Sequence, residues 1–143
     1  MDTKVAIALG AFLAAYLFLP TSYTEPELKP YVGFAMQVVD ENCPAQNYFR
    51  PKLIQYGFGK LGEGKIGECS LGDKSYSIIF DRDTWKRIDE KEKYIVVMHE
   101  VTHCIFGADH SDDHNSYMYS YYIESQLLTG VYSQFVETIK RHC

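Results

Sequence analysis

Positive charge is scarce and nowhere concentrated: 14 Lys and Arg stand against 19 Asp and Glu, for a formal net charge of -5. Without a basic stripe there is no phosphate-binding surface of the kind that dominates nucleic-acid affinity, so no nucleic-acid partner is expected. Internal repeats and low-complexity segments are also lacking, which argues against a repeat array and points to one ordinary domain in 143 residues. Glycines crowd positions 57 to 67, but no GK[ST] follows them and no dinucleotide fingerprint is matched. Their expected role is in turns between strands.

A hydrophobic run long enough for an ordinary membrane span is missing too. "VAIALGAFLAAYLFLP" follows Lys4 and stops at Pro20 after sixteen positions. The run suits the apolar region of a secretory signal, although "PTSYTEP" offers no small-residue cleavage site, so an uncleaved N-terminal anchor attaching residues 5–20 to a membrane is the alternative. A buried N-terminal helix is the third reading. Residues 1–23 are thus expected to be a signal peptide or membrane anchor, and residues 24–143 the functional domain, secreted, periplasmic or anchored outside the cytoplasm. Cysteines are few. Cys43, Cys69, Cys104 and Cys143 allow three pairings in an oxidising compartment. The preferred one joins Cys43 to Cys69 and Cys104 to Cys143; reduced, buried thiols are the cytosolic alternative.

What is present reads as an α+β chain. Thr24 and Glu27 make a capping-box pattern ahead of Leu28, Tyr31, Val32, Ala35, Val38 and Val39 at helical spacing, although Pro30 lets the helix begin there instead. "KLIQYGF", "GKIGECSLG" and "SYSIIFD" read as three strands. Trp85 is assigned to the core. A second helix starts with Asp89 as N-cap and Glu92 three residues on, and stops at Gly107, a residue type that tolerates a left-handed cap. Its core side is Tyr94, Met98, Val101 and Ile105. A closing helix from Val131 is expected to present Tyr132, Phe135, Val136 and Ile139 on one face.

The second helix carries "HEVTH". His99 and His103 lie four apart, so both imidazoles project from one face and can bind one metal ion. Glu100 stands beside them, placed to take a proton from a metal-bound water and not to bind the metal. A catalytic zinc needs a third protein ligand, for which His110, Asp109 and Glu124 compete. In the loop that follows, His114 is read as a solvated turn residue and Asp112 and Asp113 as a turn that bonds its own backbone.

"HEVTHCIFGADHSDDHNSYMY" resembles the signature of the metzincin zinc peptidases, HExxHxxGxxH followed by a methionine turn, and most closely their matrixin branch. In that branch serine follows the third histidine and Met-Tyr comes eight residues after it, as His110, Ser111, Met118 and Tyr119 do here. The resemblance implies Zn2+ held by His99, His103 and His110, Glu100 as general base, and Met118 as the floor beneath the metal. It also implies that the aromatic stretch with Tyr119 and Tyr121 walls the pocket for the substrate residue after the scissile bond. A tyrosine two residues after the methionine binds zinc in some branches, but Ser120 occupies that place. This chain departs from the signature by one extra residue between His103 and Gly107, assigned to "CIF" and to a widened last helical turn.

The implied whole is a small metzincin-like zincin domain: a short twisted sheet, the zinc helix, the methionine turn and a C-terminal helix. The implied activity is that of a zinc-dependent endopeptidase acting on protein or peptide substrates, with the strand around "KIGECSL" lining the cleft. A zinc-dependent cell-wall peptide hydrolase is one alternative; a non-catalytic module stabilised by zinc is another.

Overall fold

The computed structural model describes residues 24–44, 53–72, 75–120 and 130–143. The N-terminal apolar run, Tyr121 and Glu124 lie outside the described residues. Among those described, no helix is long and apolar enough to cross a membrane.

The order of elements is a 3-10 turn (Pro26–Leu28), α1 (Lys29–Asn42), β1 (Leu53–Gly59), β2 (Gly67–Leu71), β3 (Ser75–Asp81), α2 (Arg82–Trp85), α3 (Glu90–Phe106) and α4 (Val131–His142). It is the expected α+β arrangement, with all three strands where alternating and apolar runs placed them. The sheet order is β1-β3-β2, with β1 parallel to β3 and β2 antiparallel to it. β2 is therefore an edge strand, and α3 packs along it.

The core forms between the sheet and three helices. α1 contributes Tyr31, Val32, Ala35, Val38 and Val39, as the helical spacing requires, and packs against α3 and α4. From α3 come Met98, Val101 and Ile105, while Tyr94 is only partly buried, its ring 4.8 Å from Tyr31 and 5.3 Å from Phe34. Trp85, at 1% exposure, is the largest fully buried side chain and meets Tyr31, Phe58 and Phe80. Burying an aromatic of this kind stabilises a fold by roughly 1.5–3 kcal/mol.

Several local expectations give way to tertiary contacts. The Thr24–Glu27 capping box does not form: Thr24 bridges to Tyr56, and Glu27 instead accepts a 3.0 Å hydrogen bond from the Trp85 indole N–H. A buried indole donor must be satisfied, and that demand outweighs an exposed cap. Helix α1 consequently begins at Lys29, with Pro30 in its first turn, where a proline is tolerated. In α4 the buried stripe is Val131, Phe135 and Ile139, so Tyr132 is turned out to 52% exposure and Val136 is only partly buried. Gly57, Gly59 and Gly67 lie within strands; of the five only Gly62 and Gly64 occupy the turn, Gly64 at φ 80°.

The disulfides are Cys43–Cys143 and Cys69–Cys104, not the expected pairs. Cys43 caps the C-terminus of α1 and Cys143 that of α4, so the packing of these two helices brings their ends together. Cys69 sits on β2 where that strand faces Cys104 on α3.

Candidate functional site

Helix α3 is built to end where the site needs it. Asp89 accepts from the Glu92 backbone N–H at 2.8 Å and the Glu92 carboxylate accepts from the Asp89 N–H at 2.7 Å, a complete capping box. At the other end Gly107 takes the left-handed conformation at φ 61°, and its N–H bonds the His103 carbonyl at 3.0 Å. That is a regular α-helical closure. The extra residue before Gly107 thus lengthens the helix by one position without widening its last turn, a correction to the sequence reading.

The chain then reverses and brings His110 over His99 and His103. Ring centroids are 5.2 Å apart for His99 and His110, 4.7 Å for His103 and His110, and 4.6 Å for His99 and His103. One ligand nitrogen from each histidine falls within 4.8 Å of the other two. Asp109, one residue earlier, is exposed and stands outside this cluster. The His99 and His103 Nε2 atoms approach to 3.0 Å.

The protons of two rings are committed elsewhere. His99 Nδ1 lies 2.8 Å from the Tyr117 carbonyl and His103 Nδ1 2.6 Å from the Ala108 carbonyl. A carbonyl only accepts, so each Nδ1 carries the hydrogen and each neutral ring presents an Nε2 lone pair to the other. Two lone pairs facing at this distance repel unless a cation lies between them. Burial, with the other imidazoles adding to it, pushes His99 down to about 4, and burial lowers His103 as well, so a proton is a poor occupant near neutral pH. A metal ion fits the donor set. Bonds of about 2.0–2.1 Å to a tetrahedral zinc hold two nitrogens roughly 3.4 Å apart, so the His99–His103 pair at 3.0 Å needs to open by only about 0.4 Å to admit it.

Glu100 is buried, at 6% exposure, on the side of α3 that meets β2. Burial, then the charge of Glu68, raises its carboxyl to about 7, against partial compensation from the Cys69 backbone N–H and Lys65. A carboxyl that titrates near neutrality exchanges protons readily in both directions.

The segment after His110 is a hydrogen-bonded turn. Ser111 N–H bonds the Met118 carbonyl at 2.9 Å, and the Asp113 carboxylate accepts from the Asn115 N–H at 2.9 Å, the structural role expected of this aspartate. His114 packs against Tyr119, with ring centroids 4.4 Å apart and the planes tilted by 48°, and is not part of the histidine cluster. Met118 and Tyr117 are buried. Thr102 donates to the Met98 carbonyl at 2.7 Å, which leaves its oxygen to accept from the Tyr117 hydroxyl at 3.0 Å. Tyr117 is thereby held at both ends, and its carbonyl holds His99. These supports escape a sequence reading: backbone carbonyls leave no trace in it, and the only available signal was a threonine at 102 on the core side of a helix.

A cleft of about 430 Å³ runs past His99, Glu100, His103 and His110. β2 lines one side through Gly67, Cys69 and Leu71; Ile95 and Val96 lie along α3; Tyr117, Tyr119 and Ser120 come from the turn. Of the two tyrosines assigned to a pocket wall, Tyr119 is at the cleft and Tyr121 lies outside the described residues.

A protein-family model described as "Putative phage metallopeptidase" matches residues 48–130, more than half of the chain and inclusive of every residue of the site. No curated protein and no solved structure matches.

Proposed function

The chain belongs to this phage metallopeptidase family, and from that premise we propose that it is a zinc-dependent endopeptidase in which His99, His103 and His110 hold the metal and Glu100 is the general base. The observation that carries the reading is the convergence of three imidazole nitrogens within 4.8 Å, two of them oriented by backbone carbonyls. Such orienting hydrogen bonds fix the tautomer and raise the basicity of a ligating histidine.

Zinc, when bound, supplies Lewis acidity, polarising a carbonyl and making water acidic enough to attack near neutral pH. The Glu100 carboxylate takes the proton of the attacking water and passes it to the amide nitrogen as the peptide bond breaks. The edge of β2 away from β3 binds an extended peptide by main-chain hydrogen bonds, with Tyr119 and Tyr121 walling the pocket for the residue after the cut. Met118 supports the histidines from below, as in the matrixin branch that residues 99–119 resemble. The two disulfides are consistent with a chain that matures outside the reducing cytoplasm, and a signal or anchor in residues 1–23 supplies the route.

The test is hydrolysis of a quenched fluorogenic peptide library and of purified cell-wall peptides by the zinc-loaded protein, alongside Glu100→Gln. Cleavage lost in the variant, with zinc still bound, supports the mechanism. Cleavage confined to cell-wall peptides reassigns the substrate. A variant as active as the parent refutes Glu100 as base.

A further inference from the structure

We propose that edge strand β2 is a positioning device for Glu100: the missing side chain of Gly67 makes room for the carboxylate, and the Cys69–Cys104 bond holds the strand at that distance. The inference rests on the reading of Glu100 as general base.

Gly67 and Cys69 are two apart on a strand, so they share the face turned to α3; Glu100 and Cys104 are four apart on a helix, so they share the face turned to β2. The four residues form two facing pairs, Gly67 with Glu100 and Cys69 with Cys104. A Cβ at position 67 meets Glu100 Cγ at 2.6 Å, Oε1 at 2.7 Å and Cδ at 2.9 Å. Gly67 does not have a positive φ, so its backbone accepts alanine and the methyl's contact with Glu100 is the obstacle. The Cys69 backbone N–H also acts on the carboxylate, favouring its charged form against the effect of burial. Glycine, amide and covalent tie thus act on one side chain from one strand.

The size of the effect follows from contact distances. Non-bonded carbons rest at about 3.5–4.0 Å. A methyl at 67 therefore drives the Glu100 side chain back by about 1 Å, and a displacement of that size costs about 100-fold in rate.

The test compares the full chain with Gly67→Ala, with the double variant Cys69→Ala/Cys104→Ala, and with Cys43→Ala/Cys143→Ala, which removes the disulfide remote from Glu100. Zinc affinity, kcat and KM on a cleaved fluorogenic peptide, and hydrogen exchange of the backbone amide at position 69 in metal-free protein are measured for each, with Glu100→Ala as exchange reference. Gly67→Ala and the Cys69/Cys104 variant are expected to bind zinc within about threefold of the parent, to lose about 100-fold in kcat with KM little changed, and to exchange the backbone amide at position 69 about tenfold faster, as Glu100→Ala does. The Cys43/Cys143 variant keeps kcat. Gly67→Ala with parental kcat overturns the proposal, as does a position-69 amide whose exchange is the same in all chains. Accelerated exchange in a protein that binds zinc but cleaves no peptide supports the positioning geometry and refutes the peptidase reading instead.

Discussion

On the proposed three-histidine zinc site, removing the His110 imidazole should sharply reduce the stabilisation that a bound zinc ion gives the fold. The three ligand nitrogens already lie within 4.8 Å, and His99 and His103 are oriented by hydrogen bonds of 2.8 and 2.6 Å, so little of the binding energy is spent on assembling the site. At free zinc 1,000 times the dissociation constant, binding to the folded state alone adds about 4.1 kcal/mol. For a domain of this size that raises Tm by roughly 16 °C, at about 4 °C per kcal/mol. Loss of an outer hydrogen-bonding partner weakens metal binding by about 10–100-fold, and loss of a direct ligand should reach at least the upper figure. At the same free zinc, His110→Ala then retains about 1.4 kcal/mol, or about 6 °C. Thermal melts in zinc buffers, with Asp109→Ala alongside, measure this directly. An undiminished rise in His110→Ala, paired with a collapse in Asp109→Ala, would sink the three-histidine assignment.

Other consequences are simpler to state. Trp85→Ala should cost about 3–5 kcal/mol in denaturant unfolding, because it empties the centre of the core and leaves Glu27 without its indole donor. Asp89→Ala removes one half of a complete capping box and should lower stability by about 1 kcal/mol, without touching the histidines. The Tyr31 hydroxyl donates to Glu90 at 2.7 Å, and burial together with that carboxylate pushes it up to about 12 from 10.0. The folded protein therefore holds this proton more tightly than the unfolded chain does, so the contribution is complete below pH 10 and disappears as pH climbs through 12. Unfolding free energies across that window should fall less steeply for Tyr31→Phe; equal slopes would contradict the assignment.

The parts of this fold legible in sequence are those decided locally. Asp89, Glu92 and Gly107 announced both ends of α3 because a cap depends on a few neighbouring residues, and His99 and His103 shared a face by helical geometry alone. Bringing His110 to them required a reversal whose spacing matched a known signature, which is why it too was legible. Pairing the cysteines was beyond reach, since it depends on α1 packing against α4 and β2 against α3. Thr24 and Glu27 misled because a distant indole claimed the glutamate. Gly67 looked like one more turn glycine; only the approach of Glu100 from another element shows what its missing side chain is for.

The bond from Cys43 to Cys143 closes everything between them into a covalent ring, with the Cys69–Cys104 bond spanning its interior. A ring cut once is still one molecule. For a member of a metallopeptidase family, surrounded by copies of itself at any useful concentration, a single cut between residues 44 and 142 releases no fragment and adds only the mass of one water. Such wear stays hidden on a non-reducing gel and is revealed as two pieces once the disulfides are reduced.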